Sequence, residues 1–216
     1  MSTFAANARR YKVARMSSSP GMTEQLVGQF RWLRSQVIGA EQLCDLAVQL
    51  LLGADDITLR DNPTGVHLTA SGVVVDAALG RVLLLWHPRY ERWLQLGGHC
   101  DGEMDLTAVA LREIREESGL LDLEIDPWPI GIDMHDGEPG RAPHHHIDVR
   151  FAVAAPRNSS ELPIHSPEGH TLLWVEPYKI EDPTLRGLAQ LAVDTVKANS
   201  RLTLLQLASA GPLPSE

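Results

Sequence analysis

Residues 97–120 read GGHCDGEMDLTAVALREIREESGL. Asp105 is a ready N-cap and Gly119 a ready C-terminal stop, so the spacing predicts a helix over 106–118. On that helix Glu113, Glu116 and Glu117 fall at i, i+3 and i+4, which crowds three carboxylates onto one side. Each like-charge pair costs about 0.2–0.5 kcal/mol on an exposed helix, and more where water is excluded. A divalent cation reverses that penalty, and an all-oxygen donor set favours Mg2+ or Mn2+ over softer metals. Ala108, Leu111 and Ile114 occupy another face and can pack on a sheet. Taken alone, EIREE is what a solvated acidic helix face looks like. Its surroundings change the reading. A glycine pair and an acidic loop stand ahead of it, Arg112 immediately precedes the first glutamate, and Gly119 ends it. Such a run over 112–120 arises by chance on the order of once in ten thousand chains or fewer.

Upstream, Leu26, Phe30, Leu33 and Val37 fall at helical spacing with Val27 alongside. Gly39 interrupts, and Leu43, Leu46, Ala47, Leu50 and Leu51 continue a second pattern over 41–52. A helical hairpin with one apolar stripe on each member is expected. The turn cluster Asp61-Asn62-Pro63-Thr64-Gly65 marks its boundary. Beyond it, 66–75 and 81–86 read as strands rich in branched aliphatics, separated by a turn at 76–80. Residues 90–98 lead into a loop ahead of the acidic helix. Residues 144–154 alternate cleanly, 171–175 form another short strand, and Asp182-Pro183 opens a helix. The expected organisation is a flexible tail at 1–21, the hairpin at 22–60, one main domain at 66–200 and a C-terminal tail at 201–216. Without a regular βαβ rhythm, the fold class is α/β (α+β): a mixed sheet covered by helices.

A chain of 216 residues suits one domain of about 150 residues plus an extension. Hydrophobic residues at 44% and charged residues at 22% are ordinary globular values and exclude wholesale disorder. The formal charge of −9 argues against broad nucleic-acid or anionic-membrane binding. It leaves room for an anionic substrate wherever divalent metal stands between. No apolar run approaches the ~18–20 residues that span a bilayer, and the first residues lack an apolar signal core. Two cysteines, Cys44 and Cys100, make no disulfide framework. A cytoplasmic location is expected.

Residues 98–120 resemble the signature of the Nudix hydrolases: Gly, five residues, Glu, seven residues, then Arg-Glu-aliphatic-X-Glu-Glu-X-Gly-aliphatic. The last nine positions match throughout, and the leading glycine falls on Gly98. The upstream glutamate position falls on Met104, with Glu103 one place early, so no metal is assigned to Glu103. The resemblance implies an α/β/α sandwich with a mixed β-sheet, the signature forming a loop–helix–loop. It further implies Mg2+-dependent attack of water on phosphorus in a nucleoside diphosphate linked to another moiety, with Mn2+ as a substitute. Carried over by position, Glu116 and Glu117 are the principal metal ligands, Glu113 a ligand or general base, and the Gly98 carbonyl a further ligand. Arg112, four residues before Glu116, orients that carboxylate by a charge-assisted hydrogen bond. Diphosphate hydrolysis mainly needs charge neutralisation and an aimed water, which clustered carboxylates holding metal supply.

Other candidates lie outside the signature. In 143–151, PHHHIDVRF, the residues Ile147, Val149 and Phe151 face the core while His144, His146, Asp148 and Arg150 point the other way. These four read as a substrate-contacting pocket wall, a solvated strand face or a dedicated zinc site. His99 borders the metal loop, either as a phosphate contact or as a structural loop histidine. Glu168, in the loop SPEGH, matches the family's habit of supplying an extra acidic base or ligand from that region; its bland alternative is a solvated loop acid. Cys100 lacks an activating partner. Trp86 and Trp93 read as core or pocket wall rather than a base-stacking pair. The N-terminal hairpin offers a homodimer surface or a cap for the sheet. Two rival functions share the fold: a non-catalytic Nudix-like nucleotide sensor, and an enzyme resembling isopentenyl diphosphate isomerase. The expected partner is a small nucleotide diphosphate, whose base or leaving group no sequence marker identifies.

Overall fold

Strand β1 (Val66–Asp76) is the axis of the sheet in the computed structural model, which describes residues 21–137, 143–161 and 164–209. Residues 1–20 of the expected tail at 1–21, and the residues from 210 onward, lie outside the described residues. β1 pairs in parallel with β7 (His145–Ala155) along its whole length, from Val66 opposite His145 to Asp76 opposite Ala155. Its other edge is shared: β4 (Leu96–His99) takes residues 69–72 and β2 (Arg81–His87) takes 74–76, both antiparallel. β7 is divided in the same way between β6 (Gly131–Asp136) and β5 (Glu124–Ile125). β3 (Arg92–Leu94) and β8 (Thr171–Val175) pair with β2. The mixed sheet therefore forks near its middle, and the β4–β6 end of the fork carries the polar residues.

Strand alternation sends side chains to two helical layers. Leu68, Ala70, Ile147, Val149 and Phe151 pack against α1 (Met22–Gln36), α2 (Glu41–Leu51) and the first half of α3 (Leu106–Ser118). Ile114 continues that layer with Val74, Leu96 and Val153, each fully buried. On the opposite face Val73, Val75, Val82 and Ala152 meet Leu185, Ala189, Ala192 and Val196 of α4 (Pro183–Ser209). The result is the expected α/β/α sandwich. The hairpin caps the sheet, since Leu26, Phe30, Leu33 and Ala47 are spent on the common core. Gln29 and Trp32 also donate to the carbonyls of Pro127 and Pro129. Among the described residues, no helix is long and apolar enough to cross a membrane.

α3 forms where its caps place it. The Asp105 carboxylate accepts from the amides of Thr107 (3.0 Å) and Ala108 (3.2 Å), and Gly119 ends the helix in the left-handed region at φ +69°. Two features differ from expectation. β3, β4 and β5 run four residues or fewer, too short for alternation to reveal, and β6 emerges downstream of them. The last helix runs to Ser209, past residue 200. Of the alternatives for the outward face of β7, a solvated face is excluded, since His146 and Asp148 are buried.

Asp76, fully buried at the β1–β2 turn, accepts from the amides of Ala78, Leu79, Asn158 and Ser160 and from the Ser160 hydroxyl. Burial works to raise its pKa, but the donors of Ser160, Ala78 and Leu79 outweigh it and hold the carboxyl below its usual range. A depressed folded pKa contributes stability above the unfolded value of ~3.9 that is lost as pH falls through the folded one. Asp76→Ala, which leaves these buried donors unpaired, is expected to cost about 2–4 kcal/mol near neutral pH, read by urea unfolding. The deficit should shrink toward acidic pH; a variant unfolding with the parent would refute the anchoring role.

Candidate active site

Gly97 and Gly98 bring β4 and α3 close enough for the helix carboxylates to lie on strand backbone. Gly97 has φ +155°, and a Cβ there would stand 2.4 Å from the Ser71 Cα. Its amide donates to Glu117 Oε2 at 3.0 Å rather than to a neighbouring strand. At Gly98 the missing Cβ leaves room for the Glu113 carboxylate itself. Arg112 donates to the His99 carbonyl and to Glu113 Oε1, each at 2.6 Å. The role implied by the family resemblance pairs Arg112 with Glu116; the guanidinium instead reaches β4 and bonds Glu113. Glu116 is exposed beside them. Met104, at the upstream glutamate position, packs against the core, while Glu103 Oε1 accepts from the Asp105 amide at 2.9 Å.

Burial pushes the Glu117 carboxyl up to about 8, with the charges of Glu113, Glu168 and Glu116 adding and the Gly97 amide opposing. Glu113 is raised as well, chiefly by burial. Buried carboxylates pushed toward their neutral form, together with the adjacent Gly98 carbonyl, are a donor set suited to a hard divalent cation. Glu168 thus belongs to the same neighbourhood. Its loop passes the end of α3, with the His165 carbonyl 3.1 Å from where a Gly119 Cβ would be, and its Oε2 lies 3.0 Å from His170 Nε2.

The second group of candidates lies on the α4 side of the sheet, beyond the reach of α4's apolar contacts. Asp148 accepts from Ser71 (2.8 Å), Thr69 (3.2 Å), Gln95 (3.1 Å) and Arg150 (2.9 Å). Arg150 also donates to Asp133 at 2.8 Å. The hydrogen bond from His135 and the charge of Arg150 together hold the Asp133 carboxyl down at about 2. Asp148 and Arg150 are therefore tied into a polar wall rather than presented as free charges. His144 and His146 stand at its end, with His67 and His99 around them. Burial first, then neighbouring imidazoles, hold His146 down at about 3, and burial holds His67 at about 4, so both rings are neutral at physiological pH. Sequence reasoning missed His67, Ser71, Gln95 and Asp133. The odd-numbered polar positions His67, Thr69 and Ser71 in an otherwise aliphatic strand were the available signal. Trp86 and Trp93 face each other across β2 and β3, ring centroids 5.6 Å apart.

The family model of the NUDIX domain matches residues 66–192, from the start of β1 into α4, and the chain belongs to that family. It is accordingly a hydrolase of pyrophosphate bonds. A NUDIX-family hydrolase from Clostridium perfringens shares the fold, with a TM-score of 0.50 at 21% identity over 60% of this chain and 97% of that one. A binary complex of the C. elegans Ap4A hydrolase gives 0.42 at 20% identity, covering 63% and 97% of the two chains. The E. coli dihydroneopterin triphosphate pyrophosphohydrolase gives 0.42 at 16%, covering 61% and 95%. A comparison with curated proteins finds no match.

Proposed function

We propose that this chain hydrolyses a nucleoside diphosphate linked to a second moiety, with water attacking phosphorus and Mg2+ as cofactor, Mn2+ substituting. The observation that carries the reading is the seating of Glu113 and Glu117 on the two β4 glycines, which gathers oxygen donors at one edge of the sheet. Glu113, Glu116, Glu117 and the Gly98 carbonyl hold the metal, which when bound offsets the charge developing on the phosphoryl oxygens. Arg112, bridging the His99 carbonyl and Glu113, fixes the register of α3 on β4 and so aims the carboxylates. Glu168, held by His170, accepts the proton of the attacking water. His99, His144 and His146, with Asp148 and Arg150 behind them, wall the side on which the rest of the substrate lies. A small-molecule partner suits a chain of net charge −9 better than nucleic acid or an anionic membrane, and a cytoplasmic location fits it. The isomerase alternative loses ground, since burial pushes the Cys100 thiol well up and leaves it no route to solvent.

The test is a panel of such diphosphates incubated with the full chain and Mg2+ in 18O-labelled water, products read by mass. One or more should turn over with the label in a product phosphate. Excess chelator should lower the rate at least about a thousandfold, and added Mg2+ or Mn2+ should restore it. Binding without turnover across the panel, or equal rates in chelator, would overturn the assignment.

A further inference from the structure

Beside the carboxylates, at the start of β1, lies a cluster of different chemistry. Parallel pairing sets His67 directly opposite His146, and His144 enters from the residue before β7. One nitrogen from each of these three rings lies within 4.8 Å of the other two. His144 Nε2 and His146 Nε2 are 3.1 Å apart. His67 is 2% exposed, and neither of its ring nitrogens has a hydrogen-bond partner.

That last fact demands a cause. A buried polar group left unpaired costs about 1–3 kcal/mol, and His67 leaves two such atoms inside the protein. A polar position this deep in a strand would be cheaper as valine, as at Val73 and Val75 further along the same face. The geometry points to a ligand: we propose that His67, His144 and His146 bind one first-row transition-metal cation of the Zn2+ class.

Three convergent imidazoles match such an ion and not the hard Mg2+ of the neighbouring site, which prefers oxygen. Zn–N bonds of ~2.0–2.1 Å at tetrahedral angles place ligand nitrogens about 3.3 Å apart. His144 and His146 already stand near that separation, and a modest ring rotation brings in His67. Three protein ligands leave a further position open. His144 is half-exposed while His67 and His146 are buried, so the site opens to solvent at His144. His99 links the two centres. Its carbonyl is held by Arg112 of the carboxylate site, and its ring lies 5.1 Å from His67.

The proposal goes beyond the pyrophosphatase reading and survives its failure, because the ligands are separate. The full chain, stripped of metal and re-equilibrated near neutral pH in millimolar Mg2+, is titrated with Co2+ as a spectroscopic probe. One Co2+ per chain should bind with visible ligand-field bands of low coordination number, and Zn2+ should displace it stoichiometrically. His144→Ala, at the half-exposed position, should weaken binding at least about a hundredfold with the circular dichroism unchanged. His67→Gln should do the same wherever it folds. Glu116→Gln, which alters only the carboxylate centre, should leave the Co2+ titration as in the parent. Absence of a band in Mg2+, full binding by His144→Ala, or loss of binding in Glu116→Gln would each overturn the assignment.

Discussion

Glu117→Gln is expected to lower kcat at least about a thousandfold, a barrier increase of ~4 kcal/mol, while making the metal-free protein more stable at alkaline pH. Both effects follow from one carboxylate. Glu117 lies between the Gly97 amide and the charges of Glu113, Glu168 and Glu116. Its pKa is pushed up to about 8, so without metal the folded chain keeps this proton across a range where the unfolded chain has released it. An unfolded glutamate titrates near ~4.3, so the unfolded state binds fewer protons between that pH and about 8, and stability falls as pH rises through the window. Glutamine accepts the same Gly97 hydrogen bond and removes the charge, and the penalty with it. Thermal melts of chelator-treated protein should coincide for parent and variant at acidic pH and separate in the variant's favour toward pH ~9. Mg2+ should narrow the gap by stabilising the parent alone. Parent-like turnover, or a variant that loses stability as the pH rises, would contradict the placement of Glu117 as a metal ligand. Function and stability pull in opposite directions at this residue.

Why α3 could be read in advance and the wall behind it could not is a matter of sequence distance. The helix, its Asp105 cap, its Gly119 stop and its row of glutamates are determined within fifteen residues of one another. Each of those interactions is between neighbours in the chain, so spacing alone constrains them. Asp148 is the opposite case. Its partners Thr69, Ser71 and Gln95 are 79, 77 and 53 residues away, and only the parallel β1–β7 register and the β1–β4 pairing bring them together. His67 is illegible for the same reason, since nothing adjacent in sequence says that His146 will stand opposite it. Arg112 shows where local rules mislead. Four-residue spacing favours Glu116, but the strand packed beneath the helix offers a carbonyl acceptor, and tertiary contact wins.

Gly98→Ala should be about as damaging to activity as removing the Glu113 carboxylate, and should leave the fold intact. The backbone at Gly98 is not in the left-handed region, so alanine meets no conformational barrier there. The added methyl instead occupies the place of the Glu113 carboxylate, whose carbon would be 2.5 Å from it. A flexible side-chain end yields more readily than backbone, so the expected response is ejection of Glu113 from β4 and a loss of about ten- to a hundredfold in kcat/KM, or ~1.4–2.7 kcal/mol. The neighbouring glycine separates this from a general packing defect. At Gly97 the obstruction is the Ser71 backbone and φ is +155°, so Gly97→Ala should lose stability before anything else. A double-mutant cycle makes the distinction quantitative. Glu113→Gln alone should cost at least about tenfold, and adding Gly98→Ala to it should cost little more, because the methyl then displaces a group already unable to hold metal. Costs that multiply would mean that Gly98 acts on something other than Glu113. Parent-like rates in Gly98→Ala would mean that the close seating of helix on strand has no part in catalysis.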